Sequence, residues 1–335
     1  MVWQQAHPVQ HTVPVAAPAH VVYGLLADAP SWPLLLAGHL HVERMDLAPA
    51  PGDATHEHLR LWDLRDGHVR STLARRLLRP AALSIDFEQH ETLLPGAPLH
   101  GTWTVRPQGR EQCLLTLQHR PPPAGTGTLP PDTRAETERV RAGAESWQQL
   151  DELLLSFEDS LHIRGPAEVV YDFLYRIEDW PRLLPHVERA EVREDQPGIQ
   201  FAALDTCATE TGRTLTTHLV RLCFPHAARI IHRHTTTPGA IAAHSGEWSL
   251  QPEDGGVRAV SAHRVLLHPQ PATAATTTPA TAAATAATTA GATAGASAVR
   301  LADTRRHVRA ALGRASTETL TLARWHAESA VRRLR

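Results

Sequence analysis

Neither lysine nor asparagine occurs in the 335 residues of this chain, so all 33 basic residues are arginine. Schiff-base catalysis, a lysine general base and an asparagine oxyanion hole are thereby excluded. Cationic work falls to Arg, and proton transfer to His, Asp, Glu, Tyr, Cys or bound water. Cysteine is scarce: Cys113, Cys207 and Cys223 are an odd number without metal-type spacing, so neither a disulfide framework nor a zinc site is indicated. No apolar run reaches the roughly 18 residues of a membrane-spanning helix, and the amino terminus lacks a basic segment followed by a hydrophobic one. The expected compartment is the cytoplasm. A net charge of −2 gives no electrostatic reason to expect nucleic acid or an anionic membrane as partner. There is also no Gly-rich phosphate loop, no nucleophile elbow and no His-Glu-x-x-His.

What is present is said twice. Pro18, Ala19, Val21, Val22, Tyr23, Leu26, Trp32, Pro33, Leu35 and Leu36 recur, 148 residues on, as Pro166, Ala167, Val169, Val170, Tyr171, Leu174, Trp180, Pro181, Leu183 and Leu184. A second anchor matches Gly101-Thr102-Trp103 to Gly246-Glu247-Trp248 and Arg76 to Arg221 at an offset of 145. A period this long is a duplicated globular domain, because solenoid repeats run to about 20 to 50 residues. The length also suits two domains, expected at 1–156 and 157–335.

Each copy opens with a short alternating strand (11–15, 160–164), then a helix entered at Pro18 or Pro166, then a short helical turn at Trp32-Pro33 or Trp180-Pro181. Strand-like runs follow at 42–48, 57–63, 69–77, 83–89, 101–106 and 113–118, and again at 187–193, 201–208, 214–224, 230–235, 247–251 and 257–267. Helical stretches at 134–156 and 301–334 close the two halves. The expected class is α+β: two tandem helix-grip domains, each a curved antiparallel sheet of about seven strands wrapped on a long C-terminal helix, with two short helices. The space between sheet and helix is where a small-molecule site is expected, unless side chains fill it. A Pro/Gly/Thr loop occupies 121–131. An Ala/Thr-rich insertion at 269–298, lacking charge and large apolar side chains, is expected to be disordered or loosely helical.

Candidate site residues stand at matched places in the two halves. Arg76 shares a strand face with Ala74 and Thr72, and Arg221 with Leu219, Thr217 and Leu215, so each Arg faces either water or a cavity. Trp32, Trp180, Trp103 and Trp248 fit either core packing or a cavity wall. His100 and His244 stand beside the Gly-x-Trp strands and His263 on the final strand, with no histidine expected at its matching place in the first half. Trp62 is paired with Cys207, near which Asp205 and Glu210 flank a turn. Most of the 22 histidines, such as His39, His41, His56 and His58, read as surface.

The stretch from Arg221-Leu222-Cys223-Phe224-Pro225-His226 through Arg229-Ile230-Ile231 and Thr237-Pro238 to His244-Ser245-Gly246-Glu247-Trp248 resembles the second half of the di-domain aromatase/cyclases of bacterial type II polyketide synthases. The duplicated Val-Val-Tyr and Trp-Pro segments and the closing Asp303-Thr304-Arg305-Arg306 resemble the same family. That resemblance implies START/Bet v 1-like folds and a cavity for a poly-β-ketone carried on the phosphopantetheine of an acyl carrier protein. Other type II synthase subunits would be partners, and no metal or redox cofactor is implied. The implied reaction is a lyase-like cyclisation with loss of water, commonly closing the first ring between the seventh and twelfth carbons. By position the family's cavity Arg falls on Arg76 and Arg221. A fixed guanidinium can hold a carbonyl oxygen and stabilise the enolate charge while staying protonated. His263 and His244 are candidates for proton transfer. Trp32, Trp62, Thr72, Trp103, Trp180, Asp205, Thr217 and Trp248 are candidates for lining the substrate. Arg221→Ala is expected to abolish ring formation with little loss of folding. The alternative is a non-catalytic carrier of a lipid or quinone, and one half could instead serve only as a structural or docking module.

Overall fold

A computed structural model describes residues 9–92, 97–120, 132–208, 213–237, 239–269 and 286–333. The chain divides into two compact units, Met1–Leu150 and Asp151–Arg335.

In the first unit, strand β1 (Val9–Val15) leads to helix α1 (Ala19–Ala27) and the short helix α2 (Trp32–Leu35). Pro18 precedes α1, where a missing N–H leaves no helical bond unmade. The Trp32 indole donates to the Leu25 carbonyl at 2.9 Å and ties α2 to the last turn of α1. A meander follows: β2 (His39–Pro49), β3 (Thr55–Arg65), β4 (His68–Arg79), β5 (Ser84–Glu91), β6 (Leu99–Pro107) and β7 (Cys113–Arg120). All pairs are antiparallel and β1 joins β7, so the order is β1-β7-β6-β5-β4-β3-β2. Helix α3 (Thr133–Glu145), N-capped by Asp132, packs Val140 and Ala144 against Val13, Val15, Leu26 and Leu115 to form the core.

The second unit repeats this plan. After the short helix α4 (Leu150–Leu153) come β8 (Leu154–Ile163), α5 (Ala167–Tyr175) and α6 (Trp180–Leu183). The Trp180 indole donates to the Phe173 carbonyl at 3.1 Å, as its twin does. Strands β9 (Val187–Gln196), β10 (Ile199–Ala208), β11 (Arg213–Phe224), β12 (Arg229–His234), β13 (Ile241–Glu253) and β14 (Gly256–Leu267) form the meander. The order is β8-β14-β13-β12-β11-β10-β9. Helix α7 (Ala286–Arg333) lays Leu320, Ala323 and Ala327 on a core of Ile163, Val170, Phe173, Trp180 and Trp248. Each unit is thus a seven-stranded antiparallel sheet gripping a closing helix, as the strand pattern indicated.

The differences lie at element ends. The helix expected over 134–156 stops at Glu145, and Leu154–Ile163 is strand, with Leu155 facing Val265. Apolar runs such as 153–155 are ambiguous between helix and strand, and β14 supplies the backbone partners that decide it. The junction between units therefore falls ahead of 156. Residues 270–285 of the Ala/Thr-rich segment lie outside the described residues, as do 121–131, Glu210 and Pro238. From Ala286 the backbone is helical and continuous with the closing helix, which the high helix propensity of alanine favours.

Candidate functional site

Cross-strand register aligns the two sheets row by row. One row of the second unit runs Gln200, Arg221, His232, Gly246, His263, Phe157. The matching row of the first runs Glu57, Arg76, Phe87, Gly101, His119, Val9. Directly opposed residues of an antiparallel ladder project to one face, so each row is a line of neighbouring side chains.

Arg76 is 4% exposed. Its Nη2 donates to the Leu26 carbonyl at 2.8 Å and reaches Ala27 O at 3.4 Å, which satisfies the last carbonyls of α1. Its guanidinium lies 5.0 Å from the centre of the Trp32 ring, and Nε is 3.3 Å from Glu57 Oε2. Glu57 is itself buried and accepts from Arg44 Nε at 2.6 Å. Burial pushes Arg76 down to about 10, against the opposing pull of Glu57. Nη1 has no hydrogen-bond partner among the described residues. Arg76, Trp32, Trp103, Phe87 and Gln89 help line a cavity of about 20 Å³, room for about one water.

Arg221 is 2% exposed and caps α5 in the same way. Nη2 donates to Leu174 O at 2.5 Å, and Nη1 to Tyr175 O at 3.0 Å and to Gln200 Oε1 at 2.5 Å. The carboxylate of the first unit is here a neutral amide. Glu194 stands behind it, accepting from Gln200 Nε2 at 2.9 Å and from the Tyr175 hydroxyl at 2.7 Å. Burial alone would raise the Glu194 carboxyl, but these donors and the Gly198 N–H hold it down. Burial lowers Arg221 and pushes the neighbouring Cys223 thiol up to about 11. Arg221→Ala would leave these acceptors without their donor.

Beside Arg221 lies an imidazole cluster. His232 and His234 share the inner face of β12, His234 stacks on His244 at 4.3 Å between ring centres, and His244 Nε2 lies 3.0 Å from His263 Nδ1. His263 Nε2 in turn meets Ser316 Oγ of α7 at 2.7 Å and Ser261 Oγ at 3.1 Å. Desolvation, reinforced by like neighbours, pushes His232 and His244 well below the ordinary value. The same causes push His234 down to about 4. Burial outweighs the opposing charge of Asp159 at His263 and takes it also to about 4. Burial thus disfavours the imidazolium form throughout the cluster.

The expected site residues divide by sheet face. Thr72 and Thr217 are buried on the same faces as Arg76 and Arg221, and Trp248 and Trp180 are packed into the second core. Trp62 and Asp205 lie on the opposite faces: Trp62 packs against the tilted ring of His41 and under the Arg60 guanidinium, and Asp205 accepts from Thr216 Oγ1 at 2.6 Å. Period-two alternation puts them there, since Glu57, Leu59 and Leu61, like Gln200, Ala202 and Leu204, hold the inner face. The register also pairs Trp62 with Ser71 and Asp205 with Thr216, so the counterpart of Trp62 is Asp205 and not Cys207. His119 opposes Gly101 as His263 opposes Gly246, so the first unit does have the matching histidine. Glu57, Gln200, His232, His234 and Ser316 escaped the sequence reading. The available signal was the alternation His232-Arg233-His234 two strands from His263.

Comparison with known proteins gives one answer for both halves. The family described as polyketide cyclase/dehydrase and lipid transport matches residues 6–147 and again 163–293. The granaticin polyketide synthase bifunctional cyclase/dehydratase of Streptomyces violaceoruber is 30% identical over 98% of this chain and 95% of its own length. The corresponding actinorhodin protein of Streptomyces coelicolor is 29% identical over 78% of this chain and 84% of its own. The crystal structure of the di-domain ARO/CYC BexL from the BE-7585A pathway superposes with a TM-score of 0.75 at 31% identity, covering 96% of this chain and 99% of that one. The di-domain ARO/CYC StfQ from the steffimycin pathway gives 0.76 at 26% identity, with the same coverage of both chains.

Proposed function

Since the chain belongs to the polyketide cyclase/dehydrase and lipid transport family, as two tandem START/Bet v 1-like units, we propose that it is an aromatase/cyclase of a type II polyketide synthase. Its substrate is a poly-β-ketone presented by an acyl carrier protein. Its reaction is an intramolecular aldol closure of the first ring, between the seventh and twelfth carbons, followed by loss of water. The relatives named as granaticin and actinorhodin cyclase/dehydratases support the reaction class. The carrier protein and the ring position rest on the sequence resemblance.

The observation that carries the proposal is the contrast between the two matched rows. Arg76 is in contact with the carboxylate of Glu57 beside a cavity of about 20 Å³, whereas Arg221 contacts only neutral acceptors and stands next to His232. A buried guanidinium without a carboxylate in contact attracts an anion, and the enolate of a 1,3-diketone is one. The second unit therefore carries the chemistry. Arg221 stabilises the enolate, and the His244–His263–Ser316 chain holds the carbonyls and hydroxyl by hydrogen bonds. An open depression of about 700 Å³ lies on the outer face of β9, β10 and β11, lined by Arg193, Phe201, Ala203 and His218, with the sheet between it and Arg221. The first unit, closed around Arg76, serves as scaffold or docking module.

Reconstitution with a minimal synthase tests this, using Arg76→Lys, Arg221→Lys and the double variant, each checked for folding by circular dichroism. Lysine keeps the charge but loses the forked donors. Misfolded rings are expected from both Arg221 variants and normal product from Arg76→Lys. Normal product from a folded double variant would contradict the proposal.

A further inference from the structure

We propose that the second unit binds a divalent transition metal of the zinc class between His232, His234 and His244, leaving one coordination position open to the enolate oxygens of a 1,3-dicarbonyl ligand. The metal half stands on these side chains alone, and the ligand half rests on the substrate class proposed above.

The ligand nitrogens of the three histidines all lie within 4.8 Å of one another. A tetrahedral ion bound at about 2.0–2.1 Å would hold them about 3.4 Å apart, so ring rotations of roughly an ångström complete the site. Room for this is built into the backbone: a Cβ on Gly246 would stand 2.3 Å from His232 Nε2, so only glycine admits that ring. His232 and His244 are buried, and the buried Nδ1 of His234 has no hydrogen-bond partner among the described residues.

An outer layer is also present. His244 is joined through Nε2 to His263, and His263 is anchored on Ser316 and Ser261. Metal-bound histidines are usually oriented in this way, by a hydrogen bond at the nitrogen that does not bind the ion. Neutral imidazole is the form that coordinates. Three neutral ligands beside the Arg221 cation leave a dication uncompensated, so the open position calls for an anion. A 1,3-dicarbonyl meets that need by losing one methylene proton to solvent. The electron pair left behind spreads over two oxygens, one taking the open position and the other expanding the ion to five-coordinate, with no oxidant or reductant required. The first sheet has Phe87, Gln89 and Leu99 at the matching places and could not bind such an ion.

The test is Co(II) titration of the full, tag-free chain. One equivalent is expected to give the strong visible absorption of a four-coordinate site. His234→Gln and His244→Leu, which use side chains the first sheet accommodates at those places, abolish it without altering far-ultraviolet circular dichroism. The exposed His226, changed to Gln, leaves it intact. Acetylacetone is expected to shift the band in the loaded protein. Absence of four-coordinate absorption, or a band untouched by His234→Gln, overturns the metal site, and a band that acetylacetone fails to move overturns the dicarbonyl ligand. Because the readout is a spectrum and not product formation, its failure is distinct from failure of the cyclase assignment.

Discussion

Replacing Arg76 and Arg221 by methionine separates their structural duties, because the two side chains cap equivalent helices but leave different partners behind. Arg221→Met strands the carbonyls of Leu174 and Tyr175 and the amide oxygen of Gln200. Three unpaired acceptors cost about 1–3 kcal/mol each, while removal of the buried guanidinium recovers several kcal/mol of desolvation, leaving about 2–4 kcal/mol. Arg76→Met strands Leu26 O and also removes one ion-pair partner of Glu57, whose side chain is fully buried. Losing one of the two guanidiniums on a buried carboxylate costs up to about 3–5 kcal/mol in addition, so Arg76→Met is the more damaging. Adding Glu57→Gln to Arg76→Met should restore part of the loss. Scanning calorimetry of the full chain reads this, at about 2–4 °C per kcal/mol for units of this size. If Arg221→Met proves the more damaging, or Glu57→Gln restores nothing, the assignment of charge balance in the two rows is wrong.

Three further outcomes follow from the packing. Gly246→Ala and Gly101→Ala drive a Cβ to within 2.3 Å of His232 and 2.2 Å of Phe87, so each should lose about 1–3 kcal/mol in urea unfolding. Trp180→Phe leaves the Phe173 carbonyl without its indole donor and should cost about 1 kcal/mol in the same measurement. Burial would raise Asp63, but His39 at 2.6 Å and Arg65 outweigh it and hold the carboxyl below its ordinary value. Its contribution is therefore present above the unfolded value near about 3.9 and lost as pH falls through the lower native one, so acid unfolding of Asp63→Asn should be less steep than that of the parent.

The duplication made the fold legible, since offsets of 148 and 145 residues repeat the helix entries at Pro18 and Pro166 and the matched Arg76 and Arg221. The inner faces were legible where alternation was clean, as at Thr72, Ala74 and Arg76. They were not where partners come from a neighbouring strand: Glu57 sits between His56 and His58 and looks solvated until register sets it opposite Arg76. His39 likewise read as surface until the structure placed it on Asp63. The histidine cluster was hidden for the same reason, because His232, His244 and His263 come from three strands, and Ser316 from a helix that packs over them only in the folded unit. Local pattern reports which face a side chain takes, and only pairing reports what it meets.

The most direct test of the central claim, that an unneutralised Arg221 drives ring closure, is to exchange the amide and the carboxylate behind it. Glu194→Gln combined with Gln200→Glu keeps the net charge, the helix cap and the hydrogen bond between the two positions, but moves the negative charge from one residue behind into contact with the guanidinium. At about 4 Å and an effective dielectric of about 20 such a contact is worth about 4 kcal/mol. If a third of this reaches the transition state, first-ring formation by the reconstituted synthase falls about tenfold. A folded double variant that closes the ring at the parent rate would contradict the account.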